Sequence, residues 1–287
     1  MVWRGMHGNV SICVFSTRYL CTTVRTKETA NEGGSVLWRT GNAIAGAFRH
    51  DPQTIGTYRF APHYLAPDDY AHFGHTEFIL CLGYRGDLIR EYFLKYNECA
   101  SNDFVLSNGG KKVELLASDI DNWRITFVDT GQNSNIGQRL LRARKFLADD
   151  EMFLANYADA LTDLPLNEHI EQFRKGDAVA SFVAVPTPQS FHGVTAEEDG
   201  IVTAFGAMSD ATFAVNAGYF CLRRTIFDYV KEGEELVEVP FQRLIAARKL
   251  TANRYRGFWQ QMDTLKDKIA YDQMSDRGNC PWMVWKN

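Results

Sequence analysis

The sequence predicts an α/β protein whose core is a mostly parallel, twisted sheet flanked by helices. Two observations carry this. From Phe78 onward short apolar runs alternate with amphipathic ones, and the alternation continues almost to the C-terminus. Strands that alternate with helices over such a length form a parallel sheet covered on both faces. Phe78–Leu82 reads as a buried strand stopped by Gly83, and 87–96 places Leu88, Ile89, Tyr92, Phe93 and Tyr96 on one helical face. Further strands are expected at 113–117, 123–128, 152–156, 180–185 and 219–222. Further helices are expected at 137–147, 166–175, 225–231, 240–250 and 264–276. Ligands of such sheets sit at the carboxyl ends of the strands.

Composition narrows the class. The chain has 287 residues, 45% of them hydrophobic, enough for one large core or two modest ones. A net charge of -4 leaves no basic footprint for nucleic acid. The six cysteines, Cys13, Cys21, Cys81, Cys99, Cys221 and Cys280, contain no C-x-x-C pair, which argues against a zinc site or disulfide framework and for a reducing cytoplasm. No apolar stretch is long enough to span a bilayer, and Met1 to Tyr19 lacks the apolar region of a signal peptide. A soluble cytoplasmic protein is expected.

The run Gly257-Phe-Trp-Gln-Gln-Met-Asp-Thr-Leu-Lys-Asp-Lys268 resembles a signature of sugar-1-phosphate nucleotidyltransferases, nearest to the glucose-1-phosphate cytidylyltransferases. A second block agrees: Trp123 to Gly131, Gly137-Gln-Arg-Leu140, and Phe153-Leu-Ala-Asn-Tyr-Ala-Asp-Ala-Leu-Thr-Asp163. The resemblance implies a Rossmann-like sheet of the nucleotide-diphospho-sugar transferase type. It also implies a reaction joining a nucleoside triphosphate, CTP, to a sugar 1-phosphate with Mg2+ as cofactor, and it allows a homo-oligomer. CDP-glucose for surface polysaccharide or deoxysugar synthesis is the expected product.

The resemblance begins near Tyr70. Before it, where the similar enzymes keep their first strand and a nucleotide loop of the type Gly-Gly-x-Gly-Thr-Arg, followed by Pro-Lys-Pro, no such string occurs. Back-translating Leu37 to Ala43 and starting one nucleotide later permits Cys-Gly-Gly-Leu-Gly-Thr-Arg. His50 to Thr54 then permits Thr-Ile-Pro-Lys-Pro, and Phe60 to Asp68 a further gapless match. The expectation is therefore that residues from about Asn31 to Asp69 are a frame-shifted translation, with Met1 to Ala30 upstream DNA read as protein. Residues 1–69 would then be an aberrant segment, and 70–287 a nucleotidyltransferase domain lacking its N-terminal strand and nucleotide loop. A divergent N-terminal extension is the alternative.

Two aspartates stand where this chemistry needs a cation. Asp159 ends an apolar strand and matches the metal-holding aspartate of the family's Gly-Asp-Gly or Ala-Asp-Gly, with Ala160 in place of the second glycine. By its sequence alone it would cap the next turn, and Asp163 would serve equally well. Asp263 would by itself be an N-cap for the helix starting near Thr264; the resemblance makes it the second metal ligand. Thr130, Gly131 and Arg139 match the segment beside sugar and phosphate, although an arginine near Arg142 and Arg144 is also ordinary surface charge. Asn216 and Gly218 match Asn-Gly-Gly with Ala217 substituted, and Glu238 with Pro240 matches Glu-x-Pro near the sugar, a helix cap being its other role. The family's Glu-Lys-Pro lysine has no counterpart, since no lysine lies between Lys175 and Lys231. Two further classes stay open: a catalytically inactive remnant without its nucleotide loop, and a non-catalytic sugar-phosphate-binding protein.

Overall fold

The computed structural model describes residues 12–15, 67–118, 120–147, 151–186, 192–198, 201–207 and 214–284. Its centre is a seven-stranded sheet. In chain order the strands are β1 (Ile12–Phe15), β2 (Glu77–Leu82), β5 (Arg124–Asp129), β6 (Met152–Tyr157), β8 (Ala180–Pro186), β11 (Ala214–Arg223) and β12 (Leu250–Arg254). They lie in the order β12-β8-β11-β6-β1-β2-β5. Only β11 runs antiparallel to its neighbours, β6 and β8. The expected mostly parallel α/β architecture is present.

Three short ribbons complete the strands: β3 (Phe104–Ser107) with β4 (Lys112–Leu115), β7 (Ala160–Thr162) with β13 (Trp259–Gln261), and β9 (His192–Ala196) with β10 (Val202–Ala207). The helices are α1 (Pro67–His72), α2 (Gly86–Leu94), α3 (Ile136–Ala143), α4 (Leu166–Lys175), α5 (Val239–Ala246) and α6 (Leu265–Asp276). Among the described residues no helix is long and apolar enough to cross a membrane.

Alternation along each strand divides the core into two layers. Leu80, Leu82, Leu154, Tyr219 and Cys221 pack on one face with Leu166, Ile170 and Phe173 of α4. Ile79, Cys81, Phe153, Ala155, Phe220 and Leu222 pack on the other with Leu140 of α3 and Leu244 of α5. The period of two puts every second side chain on opposite faces, so an unbroken apolar run such as Phe78–Leu82 serves both layers. A third cluster, Leu161, Met262, Tyr271, Trp282 and Met283, seats α6 over the β7–β13 ribbon.

The structure corrects four expectations. The central position expected to lack its N-terminal strand is occupied by β1, which pairs in parallel with β2 (Ile12↔Phe78) and with β6 (Ile12↔Leu154). A gap between two parallel strands offers hydrogen-bonding edges on both sides, and a short β-prone tetrad can satisfy them. The helix expected at 225–231 is a single 3-10 turn, Arg224–Asp228. The helix expected at 240–250 stops at Ala246, because Arg248 takes a left-handed conformation (φ 54) and Leu250 enters β12. Thr264, not Asp263, is the N-cap of α6. The segment through residue 66 where the glycine-rich loop and the frame shift were expected lies outside the described residues, as do most of residues 1–69.

Candidate active site

β6 is buried from Met152 to Asn156 and ends at Tyr157, where the chain turns through Ala158 and Asp159 into β7. β7 then pairs antiparallel with β13 (Gln261↔Ala160, Trp259↔Thr162). The ribbon is extended by the Met262 amide, which donates to the Asp159 carbonyl at 2.7 Å. Asp263 is thereby carried to the same place as Asp159, at the carboxyl edge of the central sheet.

The carboxylates near this turn have separate roles. Asp163 Oδ1 accepts hydrogen bonds from the Phe258 amide (2.7 Å) and the Tyr255 hydroxyl, so Asp163 clamps the loop that leads into β13. Thr162 Oγ1 adds a bond to the Phe258 carbonyl at 2.7 Å. Gly257 is needed here, since a Cβ on it would overlap the Tyr255 hydroxyl oxygen. Asp267 belongs to the capping box of α6, accepting from the Thr264 amide (2.9 Å) and hydroxyl (2.7 Å). Asp263 is released from capping; its Oδ2 accepts from Gln261 Nε2. Loss of water contact, then the charge of Asp159, then that of Asp267 push the Asp263 carboxyl up from 3.8 to about 6.

A second wall comes from β11. Asn216 Oδ1 accepts from the Gly218 amide at 2.9 Å and shapes a bulge in the β11–β8 pairing. Gly218 sits at φ 79, and a Cβ there would lie 2.7 Å from the Tyr157 ring. The Trp259 indole donates to the Ala217 carbonyl (2.9 Å), and the Tyr219 hydroxyl donates to the Ala160 carbonyl (2.9 Å). These two bonds fasten β11 to the β7–β13 ribbon. Ala160 and Ala217, standing where similar enzymes have glycine, are both buried, and neither is among the residues of positive φ, so their methyl groups pack without backbone strain.

Thr130, Gly131 and Arg139 form a different group, at the ends of β2 and β5. Thr130 and Arg139 are buried at 0% and 2% exposure. Arg139 Nη1 donates to Thr130 Oγ1 (2.8 Å), Arg139 Nε donates to the Ser134 carbonyl (3.1 Å), and Thr130 Oγ1 donates to the Leu82 carbonyl (2.8 Å). Arg139 is thus no surface charge; it ties α3 to two strand ends, beside a Gly83 whose Cβ would overlap its guanidinium. Gly131 turns the chain at φ 83, its amide donating to Asp129 Oδ1 at 2.9 Å. Glu235, whose carboxyl is raised by burial, accepts from the Ile136 and Leu236 amides near Arg139. Glu238 opens α5 but makes no side-chain cap and is exposed.

The sequence reading paired Asp159 with Asp263 and named Asn216, all of which meet around the β7–β13 ribbon. It missed the clamp by Asp163, although it weighed that residue, and the bonds made by Trp259 and Tyr219, which carry no local signal.

Comparison with known proteins decides the lineage. The chain is 33% identical over 218 residues to a probable glucose-1-phosphate cytidylyltransferase of Bacillus subtilis (strain 168), covering 75% of this chain and 84% of the relative. It is 31% identical over 219 residues to the glucose-1-phosphate cytidylyltransferase of Salmonella typhi, covering 76% and 84%. The chain belongs to the glucose-1-phosphate cytidylyltransferase family. No protein-family model matches the chain. The crystal structure of HddC from Yersinia pseudotuberculosis aligns with a TM-score of 0.55 at 13% identity, covering 93% of this chain and 99% of that one, a likeness of fold alone. In this cytidylyltransferase-family chain, the matched C-terminal signature is the segment that builds β13, presents Asp263 and caps α6.

Proposed function

We propose that this chain is a nucleotidyltransferase that makes CDP-glucose and pyrophosphate from CTP and glucose 1-phosphate, with Asp159 and Asp263 as its catalytic metal ligands. The observation that carries this is the convergence of the two aspartates on one strand-end ribbon, with the Asp263 carboxyl raised by burial and then by the charge of Asp159. Two like charges held together favour a cation between them. Hard carboxylate oxygens, with the remaining positions open to phosphate and water, suit Mg2+. Among the described residues no third His, Cys, Asp or Glu joins them into a closed cage. When bound, the ion would offset the charge that develops on the α-phosphate.

In the transfer, a phosphate oxygen of the sugar 1-phosphate bonds to the α-phosphorus of CTP, the bond from that phosphorus to the bridging oxygen breaks, and pyrophosphate leaves. The part of this chain is placement: Asp163 and Thr162 fix β13, Trp259 and Tyr219 fix β11 against it, and Asn216 is held at the rim to hydrogen-bond sugar or base. Thr130, Gly131 and Arg139 shape the neighbouring strand ends, and Glu238 is presented at the start of α5. The setting is cytoplasmic nucleotide-sugar synthesis for polysaccharide.

A second reading rests on one observation: no Gly-Gly-x-Gly-Thr-Arg string occurs anywhere in the chain. Without that loop the triphosphate loses backbone donors, and the chain as written is an inactive remnant of the same lineage. The assay is pyrophosphate release from CTP and glucose 1-phosphate with Mg2+, run on this chain and on a protein translated from the repaired reading frame. Turnover by this chain supports catalysis as written; turnover by the repaired protein alone assigns the remnant reading; turnover by neither refutes the activity. DNA sequence across the codons for Ala30 to His72 decides whether the other frame encodes the loop.

A further inference from the structure

A cleft of about 690 Å3 lies between β5 and the end of α3. Four of its nine lining residues are cationic, Arg142, Arg144, Lys145 and Arg224, against one carboxylate, Asp129, in a chain whose net charge is -4. Local structure gathers these charges. α3 stops at Ala143 and the chain continues as a 3-10 turn, Arg144–Phe146, which brings the side chains that follow the helix back toward β5.

The cations are positioned by neutral groups. Arg142 Nη1 donates to the Thr130 carbonyl and to the Ser134 hydroxyl. The Arg144 guanidinium lies over the Phe227 ring and the Lys145 ammonium over the Phe146 ring, each at 4.9 Å. None of the three pairs with a carboxylate among the described residues. The one lining acid, Asp129, accepts from the Gly131 amide at 2.9 Å. Ring faces orient a cation and offset only part of its charge. The cluster therefore favours an anion, and guanidinium forks match the oxygens of a phosphate.

The rest of the lining selects among phosphates. Phe127, Leu141 and Phe146 form an apolar wall, and Phe146 is 41% exposed. An inorganic anion leaves that wall in water, whereas a planar heterocycle covers it and stacks on an aromatic ring. The volume is that of a site for one small organic molecule. The cleft is also separate from the aspartate ribbon. β5 is the outer strand, with β2 and β1 between it and the β6 strand that leads to Asp159. Three strand spacings amount to on the order of 14 Å.

We propose that the β5–α3 cleft is a second nucleotide site, binding a nucleoside diphosphate with its phosphates on Arg142, Arg144 and Lys145 and its base against Phe127, Leu141 and Phe146. This site does not depend on catalysis at Asp159 and Asp263.

The test is titration calorimetry of the full chain with CDP, ADP, inorganic pyrophosphate and cytidine, in EDTA. The background is Asp159→Asn with Asp263→Asn, which removes the two aspartates of the ribbon and leaves the cleft intact. That protein should bind a single equivalent of CDP or ADP, more tightly than pyrophosphate or cytidine. Adding Arg144→Glu with Lys145→Glu should weaken the nucleotide by about tenfold or more. Both side chains are exposed, so the melting temperature should not change. Phe146→Ser should weaken CDP and leave pyrophosphate unaltered. Absence of saturable nucleotide binding, binding indifferent to Arg144→Glu with Lys145→Glu, or pyrophosphate bound as tightly as CDP would overturn the assignment. The pyrophosphate-release assay of the wild type fails or succeeds independently of this titration, so the two readings are judged apart.

Discussion

The Met262 amide donates to the Asp159 carbonyl at 2.7 Å, and this single backbone bond sets Asp263 beside Asp159. Burial, then the charge of Asp159, then that of Asp267 raise the Asp263 carboxyl to about 6. Two carboxylates brought this close repel each other, and under the proposed function a shared cation would offset that repulsion.

Replacing either aspartate should therefore separate stability from activity. Asp159→Asn or Asp263→Asn should cut kcat/KM by at least about 10²-fold, the scale of losing one electrostatic element of a transition state. The same change should leave the metal-free melting temperature equal or higher, and the rise in it that Mg2+ is expected to cause in the wild type should be absent. Calorimetry with and without Mg2+ checks both; a variant that melts lower yet keeps its Mg2+ response would refute the assignment.

The pH dependence of the pair has a definite sign. A carboxyl raised from 3.8 to about 6 on folding adds stability that is fully present below about pH 4 and is lost as pH rises through 6. Subtracting the melting profile of Asp263→Asn from that of the wild type should show this loss between pH 4 and 6. Mg2+ should restore stability above pH 6, where the carboxylate is charged.

His169 acts in the opposite direction over an overlapping range. It is 2% exposed on α4, its Nδ1 lies 3.2 Å from Asn253 Nδ2, and burial lowers it from 6.5 to about 4. A depressed value means that the neutral ring stabilises the fold above pH 6.5 and that this is lost as pH falls toward 4. The shift corresponds to at most about 3 kcal/mol. His169→Gln should flatten the acid limb of the unfolding curve, which urea titrations at pH 7 and pH 4.5 would read.

Asp163→Ala tests the clamp. It removes the acceptor for both Tyr255 and Phe258 and should cost roughly 2–3 kcal/mol, while Tyr255→Phe, which removes one of those bonds, should cost about 1 kcal/mol. Activity should fall with Asp163→Ala because β13 carries Asp263. Equal melting temperatures for the two variants would contradict this role.

Arg139→Met strips the Thr130 hydroxyl and Ser134 carbonyl of a buried partner and should cost roughly 3 kcal/mol, a drop of several degrees in melting temperature. Arg139→Lys should recover little, since one ammonium cannot reproduce the fork that reaches both groups.

Local spacing made much of the fold legible. The runs Phe78–Leu82 and Ala180–Pro186 are apolar on both faces, and the helix Leu166–Lys175 was readable to the residue from its periodicity and its basic last turn. The ribbons were not legible in the same way. Three residues in β7 and three in β13 are too few to show a period, and both are held by partners distant in sequence. The 3-10 turn at Arg224–Asp228 looked α-helical because Ile226, Phe227 and Val230 have helical spacing, yet their burial, not an α-helix, explains them. Asp263 was the cap expected from sequence, and the capping box between Thr264 and Asp267 assigns that role to Thr264 instead.

The sequence by itself determined the lineage and the alternation of strands and helices, because motifs and periodicity are written in neighbouring residues. The tertiary structure alone decided that Ile12–Phe15 occupies the central strand position, that Arg139 is a buried tie and that Asp263 is free of capping and shares charge with Asp159. Each of these depends on hydrogen bonds and desolvation between segments far apart in the chain, whose free energies no local pattern encodes.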